Sequence, residues 1–383
     1  MFPRNRRSPL LIVGAALAFI LGAVFAFWPA DAQRPPQIDA RADATSNAYA
    51  TDGTYRVQEA SQIGLTDQRR GKQLPLYIAY PDAKGPFPVI IFSHGTGGSG
   101  ERKAPFAQFW ASHGYVVINP THADSFGGQG ENPQQNRRGG FGGGGGFGRG
   151  GFGGGGGMGM LGRIRRINDD PNTWINRAQD ISLVIDSLGS LENQIPELRG
   201  KIDPARIGVG GHSLGAYTAQ LIAGARVNIP GRGSTSFADN RVQAVLMLSG
   251  QGSGQQGLTD NSWSGIRLPL MVITGSLDRG ITGQDAQQKL DAFKLSAPGN
   301  KYGLIIEGAN HAALGGPGEG GGGKLFNQLR DEVGTQSAIW DDIKIATVAF
   351  WDAYLKGDSR ARAYLQSNAL TAYSNGTVEI QRR

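Results

Sequence analysis

Short apolar runs alternate with amphipathic stretches along most of this chain. The apolar runs at residues 89–92, 116–118, 242–248, 268–274 and 302–307 predict buried strands. Stretches with apolar positions three and four apart predict helices around Phe106 and Trp110 and at residues 174–191, 284–295 and 339–354. Strands that alternate with helices predict an α/β fold with a mostly parallel central sheet and helices on both faces.

Before these units, residues 53–80 have a different pattern. Apolar and polar residues alternate at 55–57 and at 74–80, and a polar turn at 67–72 separates the two segments. This pattern predicts a pair of antiparallel strands. With 383 residues in the chain, residues 53–383 are long enough for one large α/β domain.

The first 32 residues predict export from the cytoplasm. Arg4, Arg6 and Arg7 precede an uncharged apolar run at 10–28, and an A-x-A-like cleavage site ends at Ala32. The segment is either a cleaved signal peptide or an uncleaved N-terminal membrane anchor, because the run is just long enough to cross a bilayer. Both alternatives predict a periplasmic or secreted catalytic domain. Residues 33–52 read as a linker.

Composition excludes several classes of site. The chain has no cysteine, which rules out disulfides, a thiol nucleophile and a cysteine-based zinc site. The formal net charge is +7, and much of the excess lies at the N terminus and near a glycine-rich tract. The basic balance is therefore local, and no nucleic-acid partner is expected.

The glycine-rich tract at residues 127–162 is predicted to be a disordered insertion. So many glycines cannot bury enough apolar surface to offset the entropy lost on ordering them. Arginine and phenylalanine within flexible glycine also occur in nucleic-acid-binding tails. The tract therefore leaves a second hypothesis open, in which the chain is a non-catalytic binding protein with the same α/β fold.

The strongest chemical signal is Gly211-His212-Ser213-Leu214-Gly215, a G-x-S-x-G motif. An apolar strand precedes it and an alanine-rich helix follows, so Ser213 is predicted to sit on a sharp turn with its hydroxyl clear of the sheet. Side chains in place of the two flanking glycines would collide with the neighbouring strand and helix. Ser213 is the predicted nucleophile.

A serine nucleophile needs a base, and the chain has five histidines. His311 follows the last predicted parallel strand in a Gly-Ala-Asn-His loop and is the predicted general base. His212 should point away from the Ser213 hydroxyl, and His94 should support the glycine loop that it begins. His113 closes a helix, where a cation would suit the dipole, and His122 could line the cleft.

The acid that orients the base should follow a strand end. Asp278 follows the strand at 268–274, whereas Asp260 lies in a polar loop, Asp285 begins a helix and Glu307 lies inside a strand. Asp278 is therefore the predicted third member, and the chain order Ser213, Asp278, His311 is that of α/β-hydrolases.

Two backbone amides should stabilise the oxyanion. One belongs to Leu214, the residue after the nucleophile. The other should come from His94-Gly95-Thr96-Gly97-Gly98, where Thr96 is the choice by position. This loop lacks the lysine and spacing of a phosphate-binding loop, so nucleotide binding is not expected.

Between Tyr77 and Tyr354 the chain resembles the α/β-hydrolases. Ser-His-Gly-Thr-Gly-Gly, Gly-His-Ser-Leu-Gly, Gly-Ser-Leu-Asp and Asn-His are similar to dienelactone-hydrolase-like and platelet-activating-factor-acetylhydrolase-like esterases. The resemblance implies a Ser213–His311–Asp278 triad, an oxyanion hole at Thr96 and Leu214, small-ester or acyl substrates, and neither metal nor cofactor. Dienelactone hydrolases proper use a cysteine, which this chain lacks, and the glycine-rich insertion is foreign to the family.

These features predict a serine ester hydrolase that cleaves carboxylic esters through an acyl-enzyme. A peptidase or an acyltransferase of the same fold is the alternative within the enzyme class. The sequence leaves the acyl and alcohol groups and the oligomeric state open.

Overall fold

The computed structural model describes residues 46–126, 156–280, 283–317 and 336–383. The predicted signal or anchor, most of the predicted linker and the glycine-rich residues 127–155 lie outside the described residues. Within the described ranges, no helix has the length and apolar character needed to cross a membrane.

The strands of the described residues are β1 (Val57–Asp67), β2 (Lys72–Pro81), β3 (Phe87–Ser93), β4 (Val116–Pro120), β5 (Ile202–His212), β6 (Val227–Ile229), β7 (Gly233–Thr235), β8 (Val242–Leu248), β9 (Leu270–Gly275), β10 (Lys301–Ile306) and β11 (Val378–Arg382). Nine of them form one sheet with the order β1-β2-β4-β3-β5-β8-β9-β10-β11. The six strands from β4 to β10 in this order run parallel, and β1, β2 and β11 are antiparallel additions at the two edges. Strands β6 and β7 pair separately as a small hairpin.

Helices cover both faces of the sheet, as the alternating pattern predicts. One core layer contains Trp174 and Tyr217, and the other contains Phe106 and Phe350. The helices are α1 (Ala104–Ser112), α2 (Gly156–Asp169), α3 (Pro171–Asp186), α4 (Leu188–Gln194), α5 (Leu214–Ile222), α6 (Ala286–Lys289), α7 (Asp291–Leu295), α8 (Gln336–Trp351), α9 (Ser359–Gln366) and α10 (Ala369–Tyr373). The α/β fold with a mostly parallel sheet is confirmed.

The structure differs from the predicted elements in several places. The hairpin of β6 and β7 and the helices α9 and α10 have no predicted counterpart, and residues 46–50 of the predicted linker are helical. The helix predicted at 174–191 is interrupted at Ser187, and that predicted at 284–295 is interrupted at Leu290. Helix α2 begins at Gly156, whereas the predicted disorder extends to residue 162. Glycine content set that boundary, although helix-forming residues such as Met160 and Leu161 already lie among the last glycines. Strand β11 was not predicted, because only Val378 and Ile380 alternate in it.

Candidate active site

Ser213 occupies a strained turn between β5 and α5. Its backbone angles are φ 57° and ψ −120°, a conformation rare for residues with a side chain. A Cβ added to Gly211 would lie 2.2 Å from the Gly215 carbonyl carbon, and one added to Gly215 would lie 1.9 Å from the Ser93 carbonyl oxygen. The prediction that both glycines are needed is thereby confirmed: the turn leaves no room for side chains.

The structure brings Ser213, His311 and Asp278 together. His311 Nε2 lies 3.0 Å from the Ser213 hydroxyl, and His311 Nδ1 lies 3.0 Å from Asp278 Oδ1. With the Nδ1 proton donated to the carboxylate, Nε2 is free to accept the serine proton. The imidazole is 29 % exposed and the Asp278 side chain is fully buried. This arrangement can activate a hydroxyl that solvent can reach.

The Asp278 carboxylate is held in its charged form. Burial alone would raise its pKa, but the hydrogen bond from His311 and the charges of His311 and Lys289 lower the pKa far below its usual value. Thr274 donates a further hydrogen bond to Oδ2 at 3.0 Å. An ionised Asp278 fixes the ring orientation of His311 and can stabilise the imidazolium that forms on proton transfer.

Two polar side chains near this pair have no counterpart in the sequence-based prediction. The Ser249 hydroxyl lies 2.7 Å from His311 Nδ1, on a residue with φ 52°. The buried Lys289 ammonium donates to Ser249 Oγ at 3.2 Å and lies 3.5 Å from Asp278 Oδ1. Burial lowers the pKa of Lys289, and Asp278 opposes that effect. The strand-end position of Ser249, directly after the apolar run at 242–248, is the one sequence signal that points to this group.

Both predicted oxyanion donors lie near Ser213: Leu214 follows it in the sequence, and the loop that carries Thr96 passes beside it. Leu214 is the first residue of α5, where a backbone amide has no partner within the helix. A Cβ added to Gly95 would lie 3.4 Å from Ser213 Cβ, so the loop that carries Thr96 runs beside the turn. Thr96 is half-buried, and its hydroxyl is hydrogen-bonded to the Asn168 side chain.

The other histidines have supporting positions. The His212 ring hydrogen-bonds the His311 carbonyl at 3.0 Å and braces the loop that carries that residue. Buried His94 accepts from the His122 amide at 3.0 Å, and its Nδ1 lies 2.6 Å from the Gly95 carbonyl. The predicted support of the glycine loop by His94 is therefore confirmed. His113 follows the last residue of α1, as predicted, but burial lowers its pKa and disfavours the cation expected there.

His122 belongs to a second array of serine, histidine and aspartate. Its Nε2 lies 2.8 Å from the Ser93 hydroxyl, and its Nδ1 lies 2.9 Å from Asp180 Oδ2. All three side chains are buried. Burial and the nearby Arg177 charge lower the pKa of His122 to about 4. His122 therefore lies beneath the glycine loop and does not line an open cleft.

The rival acids lie apart from His311 or have other partners. Asp285 caps α6 through the Gln288 amide, and Asp260 accepts from the Ser253 hydroxyl at 2.5 Å. Glu307 is the residue after β10, and its amide pairs with the Thr377 carbonyl. Among the residues that the structure describes, no cluster of histidine and acidic side chains has the geometry of a metal site.

The first half of the chain contains a match to a known protein family. Residues 44–135 match the family model described as chlorophyllase. The match covers less than half of the chain; it contains β1 to β4 and the Thr96 loop and ends before Ser213. No curated protein matches the chain. Together with the sheet, this match fits an α/β-hydrolase fold.

Proposed function

We propose that this protein is a serine ester hydrolase that cleaves carboxylic esters through an acyl-enzyme. The observation that carries the proposal is the chain of two 3.0 Å contacts from Ser213 through His311 to Asp278, built on a strained turn. The chlorophyllase match and the resemblance to dienelactone-hydrolase-like and platelet-activating-factor-acetylhydrolase-like esterases support an ester as the substrate class.

The residues divide the reaction into two halves. Ser213 Oγ forms a bond to the ester carbonyl carbon while its proton passes to His311 Nε2. The amides of Leu214 and Thr96 stabilise the oxyanion, and its collapse breaks the bond to the alcohol oxygen, which takes the proton from Nε2. Water then repeats the sequence on the acyl-enzyme, releasing the carboxylic acid and restoring Ser213.

The place of action rests on the sequence of residues 1–32 alone. Their charge and apolar pattern support an exported enzyme, either released by cleavage after Ala32 or tethered through residues 10–28. The substrate would then be an ester that reaches the protein outside the cytoplasm.

The proposal is tested by covalent labelling. A fluorophosphonate should modify the folded protein on Ser213, and peptide mapping should find no adduct on the buried Ser93. Asp278→Asn should lower kcat on a short p-nitrophenyl ester by about 10³- to 10⁴-fold, because the amide favours the wrong imidazole tautomer. The matched control Asp260→Asn should keep wild-type kcat. A folded protein that neither reacts with the probe nor hydrolyses esters of graded acyl length would contradict the proposal.

A further inference from the structure

A buried guanidinium lies beneath the loop that carries Thr96. Arg177 extends from α3 and is 1 % exposed. Asp124 holds it in a two-point pair, with Nε to Oδ1 at 2.8 Å and Nη2 to Oδ2 at 2.7 Å. A charge this deep must be paired, so Asp124 accounts for the presence of Arg177 in the interior. Three N–H groups, two on Nη1 and one on Nη2, remain to be explained.

One Nη1 group donates to the Ser93 hydroxyl at 3.3 Å, and the other two groups donate to the backbone of the loop. Arg177 Nη1 donates to the His94 carbonyl at 2.7 Å, and Nη2 donates to the Gly95 carbonyl at 3.3 Å. The Gly95 oxygen also lies 2.6 Å from His94 Nδ1 and accepts from the Gly98 amide at 3.1 Å. Several groups therefore converge on one carbonyl oxygen and fix its direction.

Fixing this oxygen also fixes an amide. The Gly95 carbonyl and the Thr96 N–H belong to one planar trans peptide, in which the two bonds point in opposite directions. The carbonyl points toward buried Arg177, while the backbone of Gly95 lies against Ser213. Building on the proposed function, we infer that Arg177 is a positioning residue that holds the Thr96 amide toward the oxyanion formed at Ser213.

The planar fork of arginine suits this task. It binds the carboxylate of Asp124 along one edge and two successive carbonyls with two of its remaining donors. Asp124 in turn accepts from the Gly97 amide at 3.3 Å. Arg177 and Asp124 therefore hydrogen-bond the loop on both sides of Thr96. A lysine has one ammonium and cannot make both sets of contacts.

The test is Arg177→Lys, which retains the charge and removes the fork. We expect kcat on a p-nitrophenyl ester to fall about tenfold to a hundredfold while KM stays within about threefold, because the oxyanion forms only after the substrate binds. The Ki of a trifluoromethyl ketone, which forms an oxyanion on addition of Ser213, should rise by the same factor as kcat/KM falls. A purely structural role would not link these two quantities.

The matched control is Arg241→Lys, because Arg241 grips Asp239 with the same two-point geometry, at 2.8 and 2.7 Å, just before β8 begins. It should leave kcat and Ki unchanged. If Arg177→Lys does not fold, Asp124→Asn provides the test. It weakens the ion pair that holds Arg177 and should lower kcat/KM and raise Ki by the same factor.

Wild-type kcat and Ki in the folded variant would overturn the inference. So would a fall in kcat/KM without a matching rise in Ki. If the wild-type protein itself neither hydrolyses esters nor reacts with a fluorophosphonate, the proposed function fails instead.

Discussion

Replacing Ser213 with glycine should stabilise the protein more than replacing it with alanine. Both changes remove the hydroxyl, so both variants should be inactive, but only glycine adopts φ 57° and ψ −120° without a clash from Cβ. Such backbone strain destabilises the alanine variant by about 1–3 kcal/mol. Glycine gives the unfolded chain more conformational freedom, which destabilises the glycine variant by about 0.4–1 kcal/mol. The glycine variant should therefore exceed the alanine variant by about 1 kcal/mol in the free energy of unfolding.

Urea unfolding of the two variants measures this difference directly. A control pair at Ser190, inside α4, should show the opposite order, because glycine in a helix is about 0.5–1 kcal/mol less stable than alanine. If Ser213→Gly proves no more stable than Ser213→Ala while the Ser190 pair behaves as expected, then the turn stores no strain and the reasoning is refuted.

Two further predictions concern packing and pH. Gly215→Ala should destabilise the fold by more than about 2 kcal/mol and reduce esterase activity, because its Cβ would meet the Ser93 carbonyl, whereas Gly189→Ala, with open space at its Cβ, should be neutral or stabilising in a thermal melt. An equal effect of the two changes would contradict this account. Burial and then Asp341 raise the pKa of Asp342 to about 7, so the folded state binds the proton more tightly and stability falls as pH rises from about 4 to 7. Asp342→Asn should increase the free energy of unfolding by up to about 4 kcal/mol at pH 8 and by little at pH 4. If the melting temperatures of variant and wild type instead change in parallel between pH 4 and pH 8, the result contradicts this reasoning.

The sequence predicted the parts of the candidate site that follow strand ends. Ser213, Asp278 and His311 come after β5, β9 and β10, and the carboxyl ends of parallel strands meet at one edge of a sheet. Once the apolar runs and the G-x-S-x-G turn were recognised, this topology predicted that the three residues lie at the same edge of the sheet.

The charged residues behind the site were beyond such reasoning. Lys289 and Arg177 lie on helices, where a charged residue in the sequence normally indicates an exposed face. Each is buried because an acid outside its own helix pairs with it: Asp278 for Lys289 and Asp124 for Arg177. Local periodicity carries no information about these partners.

The buried array of Ser93, His122 and Asp180 bears on how active sites are recognised in other structures. Its two contacts, 2.8 and 2.9 Å, are as short as those of Ser213, His311 and Asp278, yet its hydroxyl has no solvent-accessible surface. A search by distance alone would return both arrays from the residues that the structure describes. Accessibility of the serine oxygen, applied as a second filter, separates the hydroxyl that a substrate could reach from the one that only supports the loop above it.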